Sequence, residues 1–181
     1  MVAPWTWTLD DNERRICIET ATRRQQVNRE ANRRDLRIDH KRAQLDEAAG
    51  VAGELVFGKF ANLYVDYQAL AGPAKADFLT PTGETVDIKS TWRPKGRLIV
   101  PRYKKRDPCD WYGLVIVDWT DLEQCPTGTI IGGMRGPDIV VPERQLPGFK
   151  GGFVAEQSEL IPADEFIQLV TRRPSERTSV N

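Results

Sequence analysis

The chain has 181 residues, 40% of them apolar and 29% charged, with 26 Lys/Arg balanced by 26 Asp/Glu. That size supports one domain with a sizeable core, and no apolar run nears the roughly 18 residues needed to span a membrane. Three scattered cysteines without a CxxC and a single histidine, His40, argue against a disulfide scaffold, a thiolate zinc site and a multi-histidine metal centre.

The N-terminal residues lack the basic start and apolar stretch of a signal peptide. The expectation is a cytoplasmic protein (the host cytoplasm if phage-encoded) that does not enter a membrane. The zero net charge hides segregation. Residues 13–42 carry ten basic and five acidic residues, and 43–88 carry two and seven. Residues 89–106 carry eight basic residues and no acid, and 107–170 carry three and eleven. Blocks of this kind shape the local field even when the sum cancels.

Asp10 and Glu13 form a capping-box pattern ahead of residues 11–42, which hold no Gly or Pro. A long polar helix is expected there, with Ile16, Val27, Ala31 and Ile38 as its thin apolar content. It either leans on the core or contacts nucleic acid or a second copy in a homodimer. Residues 44–65 place Leu45, Ala48, Ala49, Ala52, Leu55, Val56, Phe60 and Leu63 at helical spacing, predicting a buried helix. Gly50, Gly53 and Gly58 weaken that helix, so close approach to a sheet should compensate. Glu54 lies within the apolar stretch and calls for a partner.

Residues 74–91 predict a hairpin turning at Thr80-Pro81-Thr82-Gly83-Glu84. Thr80 then opposes Glu84, and Asp77 opposes Asp87. Val86 and Ile88 share one face, Asp87 and Lys89 the other. Arg97–Val100 reads as a third strand, and Trp111–Asp118 as a central one. Thr129–Met134 and Asp138–Val141 read as shorter strands, and Pro162–Thr171 as a final helix.

Two facing carboxylates repel unless they share a cation. Hard oxygen ligands without histidine favour Mg²⁺, with Mn²⁺ as substitute. Lys89 reaches the same volume from the same face. An acid–acid–lysine cluster with a divalent metal suits phosphodiester hydrolysis, the lysine orienting water and offsetting charge.

These residues resemble the PD-(D/E)XK nuclease superfamily over about residues 45–120. The first acid is Asp77, in Ala76-Asp77-Phe78, with Ala where the motif has Pro. The second half is Asp87-Ile88-Lys89, and the helical acid is Glu54. The resemblance implies a restriction-endonuclease-like αβββαβ core taking the 44–65 helix, the hairpin and the 97–100 and 111–118 strands. The family's interposed helix has only residues 101–110, bounded by Pro101 and Pro108. It also implies metal ligands Asp77, Asp87 and the Ile88 carbonyl, with Glu54 on a second metal or its water. Lys89 would orient the nucleophile, and products would carry 5′-phosphate and 3′-hydroxyl ends. A [D/E]-x-K triplet alone is weak, since chance supplies about one. A second, Asp39-His40-Lys41, has no strand or paired acid and reads as a solvated face.

Arg93, Lys95, Arg97, Arg102, Lys104, Lys105 and Arg106 follow Lys89, interleaved with Trp92 and Tyr103. This block is expected to contact the DNA backbone. The expected architecture is a mixed α/β domain. A helical extension spans 1–43, the nuclease core 44–171 and a polar tail 172–181. The function expected is a Mg²⁺-dependent deoxyribonuclease, endonuclease ahead of exonuclease. Its small size resembles phage or mobile-element enzymes. The alternative is a non-catalytic nucleic-acid-binding or assembly module on the same fold.

Overall fold

A computed structural model describes residues 5–30, 40–65, 67, 76–147 and 151–173, with the backbone alone at 40–42. Strand β1 (Thr6–Thr8) leads into α1 (Asp11–Glu30) and α2 (His40–Ala61). The hairpin strands β2 (Phe78–Leu79) and β3 (Thr85–Thr91) follow, then β4 (Leu98–Pro101) and β5 (Trp111–Asp118). The chain continues through β6 (Thr127–Arg135), α3 (Gly136–Ile139), β7 (Gly152–Ala155), β8 (Ile161–Pro162) and α4 (Ala163–Thr171). No helix among the described residues is long and apolar enough to cross a membrane.

The capping box at the start of α1 is formed as the sequence predicts: the Glu13 amide donates to Asp10 Oδ1 and the Asp10 amide to Glu13 Oε2, both at 2.9 Å. Part of the expected 11–42 helix, and part of the Asp39-His40-Lys41 triplet with its side chains, lie outside the described residues. So do residues 174–181 of the expected tail. The expected boundary at 43 falls inside α2, which starts at His40.

The principal sheet is mixed and has the order β1-β6-β5-β3-β2, with β8 beside β6. Strand β5 is central, as its unbroken apolar sequence predicts, and it pairs parallel to β3 and antiparallel to β6. On one face lies a core of Val51, Val56, Phe57, Val86, Ile88, Val115 and Phe166 from α2, the sheet and α4. Phe166 packs where Gly113 and Gly133, on adjacent strands, leave room; a Cβ at Gly133 would collide with its ring, and one at Gly113 would press on the ring at 3.0 Å and run into Ile88 Cδ1. Trp5 and Trp7 both meet the Phe60 ring edge-on, so both pack within the chain.

The opposite face is covered by a separate two-stranded sheet of β4 and β7. Tyr112, Leu114 and Met134 there pack with Leu98, Val100, Phe153 and Ala155. Two strand expectations are corrected here. β4 is not a strand of the principal sheet, because it buries only one side: Leu98 and Val100 are buried while Ile99 is 45% exposed. It pairs with residues 152–155, a segment whose sequence gave no strand expectation. Residues 136–139 form a helical turn, not a strand, since Pro137 occupies an initial helical position. The interposed segment 102–106 is a single 3₁₀ turn.

Candidate metal and phosphodiester site

Glu54 is placed by a close approach of α2 to β3. Gly53 has no room for a side chain, since a Cβ would run into Ser90 Oγ on β3. The close approach to a sheet expected to compensate the helix glycines is therefore present at Gly53; at Gly58 a Cβ would instead lie 2.6 Å from Val65 Cγ2, on the segment that follows α2. Gly50 faces open space and has no such role. Glu54, only 8% exposed, accepts both terminal guanidinium nitrogens of Arg24, each at 2.9 Å. This bidentate pair is the partner the buried acid requires.

Arg24 escaped sequence reasoning. Cys17 and Ala21 are fully buried, and Arg24 continues their i, i+4, i+7 stripe. The signal was thus small residues at helical spacing, not the larger Ile16, which is 39% exposed. Burial, with the negative field of Glu54 and Glu13, pushes the Cys17 thiol up to about 12.

The hairpin register is the expected one: Phe78 pairs with Val86, Leu79 with Thr85, and the Thr80 amide donates to the Glu84 carbonyl at 2.8 Å. Gly83 takes the left-handed conformation, φ 82°. The ladder stops at Phe78. The Asp77 amide donates to the Val86 carbonyl, and Asp77 Oδ2 accepts the Ile88 amide at 2.6 Å. The carboxylate thus satisfies a β3 donor that a longer β2 would otherwise have met. Burial raises the Asp77 carboxyl well above the usual carboxylate range, and the negative fields of Glu54 and Asp87 raise it further. Lys89 and the Ile88 amide oppose this only in part.

Asp87 and Lys89 face the β4–β7 side, where their register partners on β5 are Tyr112 and Leu114. Asp87 is 2% exposed and forms an ion pair and hydrogen bond through Oδ1 with Lys89 Nζ. Lys104 Nζ lies 2.9 Å from Asp87 Oδ2. That oxygen has charge contact but no aligned hydrogen bond. Burial alone would lower the Lys89 ammonium, but Asp87 and then Asp77 hold it above its ordinary value.

The basic block divides. Arg93, Lys95, Arg97, Arg102, Lys105 and Arg106 are exposed, with Arg97 3.4 Å from Glu156. Lys104 is 6% exposed and turned inward, so it does not belong with the outward-facing residues. Trp92 and Tyr103 are both more than half exposed, and the Arg93 guanidinium lies over the Trp92 ring.

Asp77 therefore lies in the negative fields of both Glu54 and Asp87. Among the described residues, no three His, Cys, Asp or Glu side chains converge closely enough to form a ready cage for a metal. The donor chemistry nevertheless suits a hard divalent cation: carboxylate oxygens, one of them the buried Asp87 Oδ2 without a hydrogen bond. Two ammonium groups, Lys89 and Lys104, supply positive charge at Asp87.

The chain belongs to a family described as "Family of unknown function (DUF5843)", whose model matches residues 4–125. The match takes in α1, α2, the hairpin, the basic turn and β5, and so every acid and base of the cluster. Comparison with curated proteins and with solved structures gives no match.

Proposed function

We propose that this chain is a Mg²⁺-dependent deoxyribonuclease with a restriction-endonuclease-like core, Mn²⁺ serving as substitute. The observation that carries the reading is an acid–acid–lysine set on one hairpin: Asp87 is paired with Lys89, and Asp77 accepts the amide of the intervening Ile88. Asp77 and Asp87 would be the metal ligands with the Ile88 carbonyl, and Glu54 would serve a second metal or its water. A bound Mg²⁺ would supply phosphate polarisation and an acidified water.

The chain's own residues do the rest. Arg24 aims Glu54 by a two-point contact. The Ile88 amide fixes Asp77. Lys89 remains an ammonium beside Asp87 and Asp77, placed to offset charge building on phosphate oxygens. Exposed Arg93, Arg102, Lys105 and Arg106 provide phosphate contacts along a DNA strand.

A second reading, a non-catalytic nucleic-acid-binding module, is favoured by the ion pairs that satisfy Glu54 and Asp87 within the chain. Incubating supercoiled, linear and single-stranded DNA with Mg²⁺ or EDTA separates the two. Mg²⁺-dependent cleavage supports the nuclease; nicking of closed circles marks an endonuclease, and loss only from ends an exonuclease. Retained DNA binding with no cleavage in Mg²⁺ or Mn²⁺ establishes the binding module.

A further inference from the structure

Lys104 has a role that its place in the basic run does not suggest. It sits in a 3₁₀ turn, Arg102–Arg106, whose other members are all exposed. Its own side chain is only 7% exposed, and its Nζ approaches Asp87 Oδ2 at 2.9 Å and Cys109 Sγ at 3.8 Å. Burying an ammonium is costly, and a lysine on an exposed turn could reach solvent easily. Asp87 already has Lys89 on its other oxygen. The second lysine therefore supplies a second positive charge to one carboxylate, as a divalent cation would.

We infer that Lys104 is a place-holding cation for the metal: its ammonium neutralises Asp87 Oδ2 when no divalent ion is bound, and leaves when one binds. This rests on the metal-site reading above. Lys104 and the metal compete for the same oxygen, and two cations cannot share it at close range without strong repulsion. Lys89, on Oδ1, stays. The exchange raises the positive charge at the buried carboxylate by only one unit, because a monovalent cation leaves as the divalent one arrives. It also ties the basic turn to the metal. The expelled ammonium joins Lys105 and Arg106 on the outer surface, so metal binding adds one positive charge to the face expected to meet DNA.

The test is Mn²⁺ titration by calorimetry of wild type, Lys104→Met and Asp87→Asn. Lys104→Met should bind Mn²⁺ roughly tenfold or more tightly than wild type, because a competing unit charge is gone. Asp87→Asn should bind it weakly or not at all. Amine acetylation of the wild-type chain, read by mass spectrometry, supplies a test that does not depend on a variant folding. Lys104 should be protected without metal and modified in saturating Mn²⁺, with Lys105 modified in both. Mn²⁺ binding with unchanged affinity in Lys104→Met, or with Lys104 still protected, overturns the place-holder role and leaves the metal site standing. No Mn²⁺ binding by wild type or Lys104→Met overturns both.

Discussion

Asp77 Oδ2 accepts the Ile88 amide at 2.6 Å, so an acid side chain ends the β2–β3 ladder where backbone pairing stops. The same carboxylate lies in the fields of Glu54 and Asp87, and its two duties can be separated by substitution. Asp77→Asn keeps an acceptor for Ile88 and removes the charge. Asp77→Ala removes both, and should cost about 1–3 kcal/mol for the stranded amide.

The raised Asp77 carboxyl fixes the sign of a pH effect. Its folded value lies well above its unfolded value, so the unfolded chain loses this proton first as pH rises. Its contribution to stability is fully present below about pH 4 and is lost as pH climbs to the folded value. In metal-free buffer, the Tm of Asp77→Asn should rise relative to wild type across that window and then level off. Saturating Mn²⁺ should narrow the gap by stabilising wild type. A gap that ignores pH would show that Asp77 titrates normally.

Arg24→Met should destabilise the chain by about 3–5 kcal/mol, because it leaves the Glu54 carboxylate buried without its partner. Arg24→Met with Glu54→Gln should recover much of the loss. Urea denaturation of the four members of this cycle measures it. Additive effects would mean that the bidentate pair contributes nothing specific.

Like charges facing across a hairpin suggest that removing Asp87 relieves repulsion. The structure reverses that expectation, since Asp87 sits between Lys89 and Lys104. Asp87→Asn should therefore lower stability in EDTA, by about 3–5 kcal/mol, through two cations left without their shared acid. Equal or higher stability would place the lysines elsewhere in solution.

Lys105→Ala with Arg106→Ala should weaken DNA binding evenly across sequences and reduce the salt slope of log K by about 1.4–1.8, for two phosphate contacts. Affinity measured over a salt series in Ca²⁺ gives the slope. An unchanged slope would mean that neither residue touches phosphate.

Local patterns made much of this legible. The Thr80–Glu84 turn residues set the register that brings Asp77 to the Asp87 side, and the apolar run 111–118 marked the central strand. Glu54 was visible as a charge in an apolar stretch. Its partner was not, because Arg24 is one of many arginines in a polar helix and only packing against α2 distinguishes it. Lys104 was misplaced for a related reason. A run of basic residues reads as one surface, whereas a 3₁₀ turn sends neighbouring side chains in different directions and turned this one inward. The pairing of β4 with β7 joins segments some fifty residues apart, a distance at which residue patterns carry no pairing information.

The proposed role of the Asp77–Asp87–Lys89 cluster is cleavage of phosphodiester bonds with a divalent metal. The most direct measurement is the rate of DNA cleavage in Mg²⁺ by wild type, Asp77→Asn and Lys89→Met, with each variant's fold checked by circular dichroism. Wild type should cleave in a manner that EDTA abolishes, and both folded variants should lose at least about a hundredfold. Wild-type rates in either variant, or no cleavage by wild type on any DNA form in Mg²⁺ or Mn²⁺, would contradict that role.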